Sequence, residues 1–237
     1  MHLTIDIGNT NVKMGLFDKN ELKEVAVQLS EAENLLKGNE IEHAIISKTG
    51  ENPELEAQLN ALGIPVMVLT QALKLPIEIE YKTPQTLGAD RIAGSVGAKD
   101  LFTDSPVLKI DFGTCITYDF VTADNKYQGG AIAPGMMMRF KALHNYTAKL
   151  PLIDPMQFTN FNLTGTDTPS AIASGVMNGI KNEVEGIIKE YALRFQGLKV
   201  VATGGDSGLF VTLIKSEIFA RPYLVLQGLN KILNHNI

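Results

Sequence analysis

Two acidic turn motifs constrain the fold of this 237-residue chain more than anything else in it. The first, Asp6-Ile-Gly-Asn-Thr-Asn-Val-Lys13, follows an apolar start (Leu3, Ile5, Ile7) and leads into Met14-Gly-Leu-Phe17. Alternating apolar residues on either side of a Gly-Asn pair read as strand, tight turn and strand. The second, Ile110-Asp-Phe-Gly-Thr-Cys-Ile-Thr-Tyr-Asp-Phe-Val121, repeats the pattern. Matched hairpins, each opening a half of the chain, predict a duplicated α/β domain that grips one ligand between its halves. At the first turn Gly8 lets backbone N–H groups approach an anion, Asn9 and Thr10 donate hydrogen bonds, and Lys13 brings positive charge. Asp6 only accepts, so beside phosphates it serves as a partner of a metal ion or its waters. The alternative is a surface hairpin whose glycine and asparagine merely suit the turn.

The remaining sequence fits an α/β chain with halves at 1–104 and 105–237. Strands are expected over Leu3–Ile7, Asn11–Phe17, Leu22–Leu29, His43–Ser47 and Pro65–Leu69, with helices near Glu31–Lys37 and from Pro53 to Leu62. Ile77 to Thr86 reads as a polar connector into a helix over Gly88–Leu101. The second half repeats the order: strands over Val107–Asp111, Thr114–Val121 and Gln128–Ala133, a helix after Pro134, and one long helix over Thr168–Phe195 with Thr166 or Asp167 as its cap. A strand over Lys199–Ala202 and helices near Ser207–Ile214 and Pro222–Leu233 complete it. No linker is rich in glycine and serine.

Bulk properties narrow the function. A net charge of −5 argues against nucleic-acid binding. The single Cys115 excludes an internal disulfide and a multi-cysteine metal site, which fits a reducing cytoplasm. The apolar runs are far too short to span a membrane. Neither a Gly-x-x-x-x-Gly-Lys phosphate loop nor a Gly-x-Gly-x-x-Gly fingerprint is present, and the four histidines lack metal-ligand spacing.

Leu87-Gly-Ala-Asp-Arg-Ile92 is the second sharp feature, because it falls at a helix start, where free N–H groups and the dipole favour negative charge. Asp90 there either caps the helix, with Arg91 as its ion-pair partner, or accepts a proton from a substrate hydroxyl while Arg91 binds a substrate carboxylate. Tyr81 could wall such a pocket or simply pack. Gly129 to Gly135 and Thr203-Gly-Gly-Asp206 are either tight connections or places where backbone approaches a ligand. Thr168, opening the long helix, is either its cap or a ligand donor.

The paired hairpins resemble those of the actin, sugar-kinase and heat-shock ATPase superfamily, and the full set of segments in this order resembles the type III pantothenate kinases. The Gly88-Ala-Asp-Arg91 segment between two such hairpins makes the resemblance specific. It implies two ribonuclease-H-like halves with ATP bound in the cleft between them, and transfer of the ATP phosphate to pantothenate in the first step of coenzyme A biosynthesis. By position, Asp6, Ile7, Gly8, Asn9, Thr10, Asn11, Val12 and Lys13 are expected to wrap the ATP phosphates, with Thr114 touching them from the second half. Asp111 is the implied ligand of a monovalent cation, potassium or ammonium, and Mg²⁺ accompanies ATP. Asp90 corresponds to the general base, and Gly88, Ala89, Asp90 and Arg91 with Tyr81 to the pantothenate site. Thr168 corresponds to a threonine that reaches pantothenate across a dimer interface, which implies a homodimer. Two departures stand out: Cys115 replaces a small residue, and Asp167 puts a negative charge beside Thr168. A regulator on the same scaffold is one rival, but Asp6, Lys13, Asp90, Arg91 and Asp111 are all present. A superfamily kinase acting on another small hydroxy acid or sugar is the second, and the short length and the Gly-Ala-Asp-Arg segment weigh against it.

Overall fold

The computed structural model describes residues 1–8, 11–27, 31, 35–36, 38–48, 57, 59, 61, 63–70, 72–158 and 160–237. The helices expected near Glu31–Lys37 and Pro53–Leu62 lie largely outside these residues. The chain divides into two compact units. One comprises Met1–Lys109, Asp119–Gly129 and Tyr223–Ile237, the other Ile110–Tyr118 and Gly130–Pro222.

The first unit is built on a sheet of order β3-β2-β1-β4-β5, formed by His2–Ile7 (β1), Val12–Asp18 (β2), Glu21–Ala26 (β3), His43–Lys48 (β4) and Val66–Val68 (β5). The first three strands pair antiparallel; β1 with β4 and β4 with β5 pair parallel. Side chains alternate across a strand, so the apolar repeat sorts residues to two faces. Leu3, Ile5, Ile7, Met14, Leu16, Ala44 and Ile46 share one buried cluster, whereas Phe17 and Ile45 belong to another.

That second cluster is filled by two helices, Ala89–Leu101 (α1) and, far along the chain, Leu224–Asn236 (α5). Their contact is backbone to backbone. A Cβ on Gly97 would stand 2.6 Å from the carbonyl oxygen of Leu224, and one on Gly228 would collide with the carbonyl of Ala93. Glycine at both positions lets the helices approach far closer than side chains would allow.

The second sheet has the order β11-β10-β7-β8-β9-β6. Its strands are Glu78–Ile79 (β6), Val107–Phe112 (β7), Cys115–Val121 (β8), Lys126–Pro134 (β9), Lys199–Thr203 (β10) and Phe219–Ala220 (β11). The segment expected to be a plain connector thus contains β6, which pairs parallel with β9, and a 3-10 turn at Pro84–Thr86. The helices of the second unit are Met136–Asn145 (α2), Thr168–Arg194 (α3) and Ser207–Leu213 (α4). Among the described residues no helix is long and apolar enough to cross a membrane.

Candidate active site

In the first unit the opening motif forms as expected up to its tip. Asp6 pairs in register with Lys13 across the β1–β2 hairpin and with Ser47 on β4. The Gly8 N–H donates to the Asn11 carbonyl at 3.0 Å and closes the turn. A Cβ on Gly8 would come within 3.2 Å of that carbonyl, a fit few side chains could accept. Asn9 and Thr10 lie outside the described residues. Ile7 is buried within the sheet, Val12 and Lys13 are half-buried, and Asn11 is exposed.

The Gly-Ala-Asp-Arg segment starts α1. Gly88 is its N-terminal capping residue, and no side chain caps the helix. The capping alternative for Asp90 therefore falls: it sits inside the first turn, half-buried, with its carboxylate not spent on a capping bond. A Cβ on Gly88 would stand 2.5 Å from Asp90 Oδ1, so the carboxylate folds back over the glycine. Ala89 opens the helix proper, also half-buried.

Arg91 points into the protein and is 7% exposed. Its ion-pair partner is Asp119 rather than Asp90: Nε donates to Asp119 Oδ1 at 2.8 Å, and Nη2 lies 2.7 Å from the same oxygen. The other oxygen of Asp119 meets the Lys109 ammonium at 2.7 Å, and the Tyr127 hydroxyl donates to Oδ1 at 2.6 Å. Asp119 is fully buried; burial alone would raise its carboxyl pKa, yet Lys109 and Arg91 hold it below the ordinary range. Burial likewise disfavours the Arg91 charge, and Asp119 more than restores it, with a hydrogen bond from the guanidinium to the Tyr81 hydroxyl oxygen assisting. Burial and the neighbouring Asp119 charge push the Tyr127 hydroxyl up. Tyr81 meets the Tyr127 ring edge-to-face, with centroids 6.1 Å apart. It also covers Gly129, where φ is 103° and a Cβ would press on the Tyr81 ring at 3.2 Å. Tyr81, Gly88, Ala89, Asp90 and Arg91 thus gather in one unit around a buried ionic floor.

Sequence reasoning missed that floor. Its signal was a charge in each of two apolar runs, Val107-Leu-Lys109-Ile110 and Tyr118-Asp119-Phe120, where unpaired charges are rarely tolerated.

In the second unit Asp111, on β7, lies beside two glycines. A Cβ on Gly113 would sit 3.4 Å from Asp111 Oδ1, and Gly204 is closer still. Thr114 is exposed at the turn between β7 and β8, and its carbonyl accepts from the Gly135 N–H at 3.1 Å. Gly135 caps α2 and packs directly on the carbonyls of Gly113 and Thr114, so the Gly129–Gly135 run splits into two structural duties. The Asp206 N–H of the Gly-Gly loop donates to the Phe112 carbonyl at 3.0 Å, tying that loop to the second hairpin. Burial raises the Asp206 carboxyl pKa.

Thr168 is the first residue of α3 and is exposed; the cap is Asp167. The Asp167 carboxylate accepts from the Ser170 N–H at 2.8 Å, and the Ser170 hydroxyl accepts from the Asp167 N–H at 3.1 Å. That reciprocal box holds the Asp167 pKa down and directs its added charge at the helix terminus. Among the described residues no cluster of three or more His, Cys, Asp or Glu could hold a metal ion.

Comparison with known proteins identifies the family of this chain. The family model for type III pantothenate kinase matches residues 2–190. A type III pantothenate kinase of Bacteroides fragilis is 43% identical over 100% of this chain and 98% of its own length, and one of Christiangramia forsetii is 43% identical over 100% and 99%. Among solved structures, a ROK family glucokinase from Streptomyces griseus in complex with glucose and AMPPNP superposes with a TM-score of 0.56 at 12% identity, covering 99% of this chain and 98% of its own. That likeness is one of fold, and the fold is that of the actin-like and sugar-kinase ATPases. With the model covering most of the chain and full-length relatives at this identity, the chain belongs to the type III pantothenate kinase family.

Proposed function

We propose that Asp90 is the general base of the reaction and that Arg91, with Gly88, Ala89 and Tyr81, holds the pantothenate carboxylate. The reaction is that of the family: the ATP γ-phosphate passes to the hydroxyl of pantothenate, giving 4'-phosphopantothenate in the first step of coenzyme A biosynthesis. The observation that carries the assignment is the Asp90 carboxylate itself, half-buried in the first turn of α1 and not used as a cap. As the substrate oxygen attacks the γ-phosphorus, its proton passes to Asp90 while the bond to the departing ADP breaks. Transfer of this kind asks the protein mainly for positioning and charge neutralisation.

For the nucleotide, Asp6, Ile7, Gly8, Asn9, Thr10, Asn11, Val12 and Lys13 are assigned to the phosphates from one hairpin and Thr114 from the other, with duplicated halves at 1–104 and 105–237. ATP-dependent transfer runs with a divalent metal ion, here assigned as Mg²⁺. Asp111 is assigned to a monovalent cation, potassium or ammonium. Its fit rests on the space at Gly204, where a Cβ would crowd both Asp111 Oδ1 and the Phe112 carbonyl, two oxygens of the kind hard cations take. When bound, that ion offsets negative charge near the phosphates. Thr168, exposed at its helix start and relieved of capping by Asp167, is assigned to the pantothenate of a second subunit in a homodimer. The single Cys115 is consistent with a cytoplasmic enzyme.

Pantothenate-dependent ADP release, assayed with and without potassium or ammonium on wild type and Asp90→Asn, tests this reading. Turnover that needs both pantothenate and the cation, and that is lost in Asp90→Asn, is the expected result. Folded protein that releases no ADP under any cation, or Asp90→Asn that retains full turnover, would overturn the assignment.

A further inference from the structure

We infer that Arg139 is a positioning residue: through the peptide unit that joins Pro134 to Gly135, it holds the second acidic turn so that Thr114 stays in place for the ATP phosphates. The inference rests on the assignment of Thr114 to those phosphates made above.

Arg139 ends the first turn of α2, which Gly135 caps. Side chains on a helix lean towards its N-terminus, so the guanidinium can reach back past the cap. It does so with Nε, which donates to the Pro134 carbonyl at 2.8 Å. The N–H of the same peptide unit, that of Gly135, donates to the Thr114 carbonyl at 3.1 Å. The two bonds thus grip one planar trans peptide from opposite sides. A tilt of that plane would loosen both, and the Arg139 bond resists the tilt. Gly135 also packs directly on the Gly113 and Thr114 carbonyls, so its placement passes to the turn without an intervening side chain.

The far end of Arg139 is anchored in turn. Nη2 donates to Glu183 Oε2 on α3 at 2.8 Å, and the Tyr118 hydroxyl donates to the other oxygen, Oε1, at 3.0 Å. Tyr118 is 1% exposed, and burial together with the Glu183 charge pushes its hydroxyl pKa up, which keeps it a donor. It stands on β8, the strand that Thr114 leads into. The contacts therefore close on themselves, from the turn through the Gly135 peptide, Arg139, Glu183 and Tyr118, and back along β8. An arginine suits this place because one rigid planar fork serves a carbonyl and a carboxylate at once, which the point charge of a lysine on its flexible stem does poorly.

The test measures steady-state kinetics, thermal midpoint and hydrogen exchange of the Gly135 N–H on wild type, Arg139→Met, Arg139→Lys and Thr114→Ala. Arg139→Lys keeps a cation for Glu183, so it covers the case in which Arg139→Met does not fold. In both Arg139 variants the KM for ATP is expected to rise about tenfold, the scale of one hydrogen bond from a charged group. The Gly135 N–H should exchange faster, and the KM for pantothenate should keep its wild-type value. Lysine should restore the thermal midpoint without restoring the KM for ATP. If Arg139 only braces α2 against α3, lysine restores both; that result, or an unchanged KM for ATP in the Arg139 variants, would overturn the inference. Thr114→Ala separates the two levels. If it raises the KM for ATP while the Arg139 variants do not, only the role of Arg139 falls; if it leaves that KM unchanged, the assignment of Thr114 falls and takes the inference with it.

Discussion

A Cβ placed on Gly204 would stand 2.5 Å from Asp111 Oδ1 and equally close to the Phe112 carbonyl oxygen, so the Gly-Gly loop lies against the acidic hairpin with no room for a side chain. The φ of 95° at Gly204 adds a backbone reason for glycine there.

Gly204→Ala should therefore act twice. Strain at a left-handed position and the clash with Asp111 are expected to lower stability by about 1–3 kcal/mol, read from chemical denaturation. Displacing the Asp111 carboxylate should also weaken the response of turnover to potassium, read from a cation titration. A variant with wild-type stability and an unaltered cation response would refute both effects.

Asp90→Asn should separate chemistry from folding. Turnover is expected to fall by about 10²–10⁴, the usual worth of a positioned base. Because Asp90 makes no capping bond, its loss should leave the thermal midpoint nearly unchanged. Asp167→Ala should do the reverse to stability: losing the box with Ser170 costs about 0.5–2 kcal/mol. Paired thermal melts and ADP-release assays on the two variants distinguish the roles.

Asp119 governs the acid limit. Its folded pKa is depressed by Lys109 and Arg91 despite burial, so its contribution is present above the unfolded carboxylate value, about 3.9, and is lost as pH falls from there through the folded pKa. Asp119→Asn leaves two cations buried against a neutral amide and is expected to cost about 3–5 kcal/mol. Denaturation midpoints measured from pH 7 downward should fall steeply for wild type and more shallowly for the variant.

Gly228→Ala should destabilise the first unit severely, because its methyl would occupy the space of the Ala93 carbonyl. A loss of about 3 kcal/mol or more, the scale of a badly overpacked contact, is expected in urea titrations. Gly175→Ala, on α3 with nothing within 4 Å of its added methyl, is the control and should be neutral or mildly stabilising.

The parts of this molecule legible in the sequence were those written in local patterns. Alternating apolar residues placed β1, β2 and β4 to within a residue or two, and the acidic turn motifs led to the family. Two kinds of feature escaped. The two-residue strands Glu78–Ile79 and Phe219–Ala220 are too short to show a period, and they exist because a neighbouring edge pairs with them. The floor of Asp119, Lys109 and Tyr127 escaped because its members come from three strands and reach Arg91 on a helix; no spacing in the chain announces that meeting. The close crossing of α1 and α5 likewise joins glycines more than a hundred positions apart, each unremarkable in its own segment. Capping was legible at one helix start and not at the other: Asp167 is the cap of α3, as one of the two residues expected there, whereas Gly88 took the position for which Asp90 was a candidate.

The division of the chain sets a timetable for its birth. Residues 130–222 of the second unit form one unbroken stretch, whereas the first unit must await Tyr223–Ile237 before α5 can close over α1. On a ribosome, the helix that presents Asp90 and Arg91 is made early and spends the rest of translation with its glycine face uncovered. The element to which we assign pantothenate is thereby among the last parts of the protein to mature, because its packing partner α5 is made after nearly all the rest of the chain.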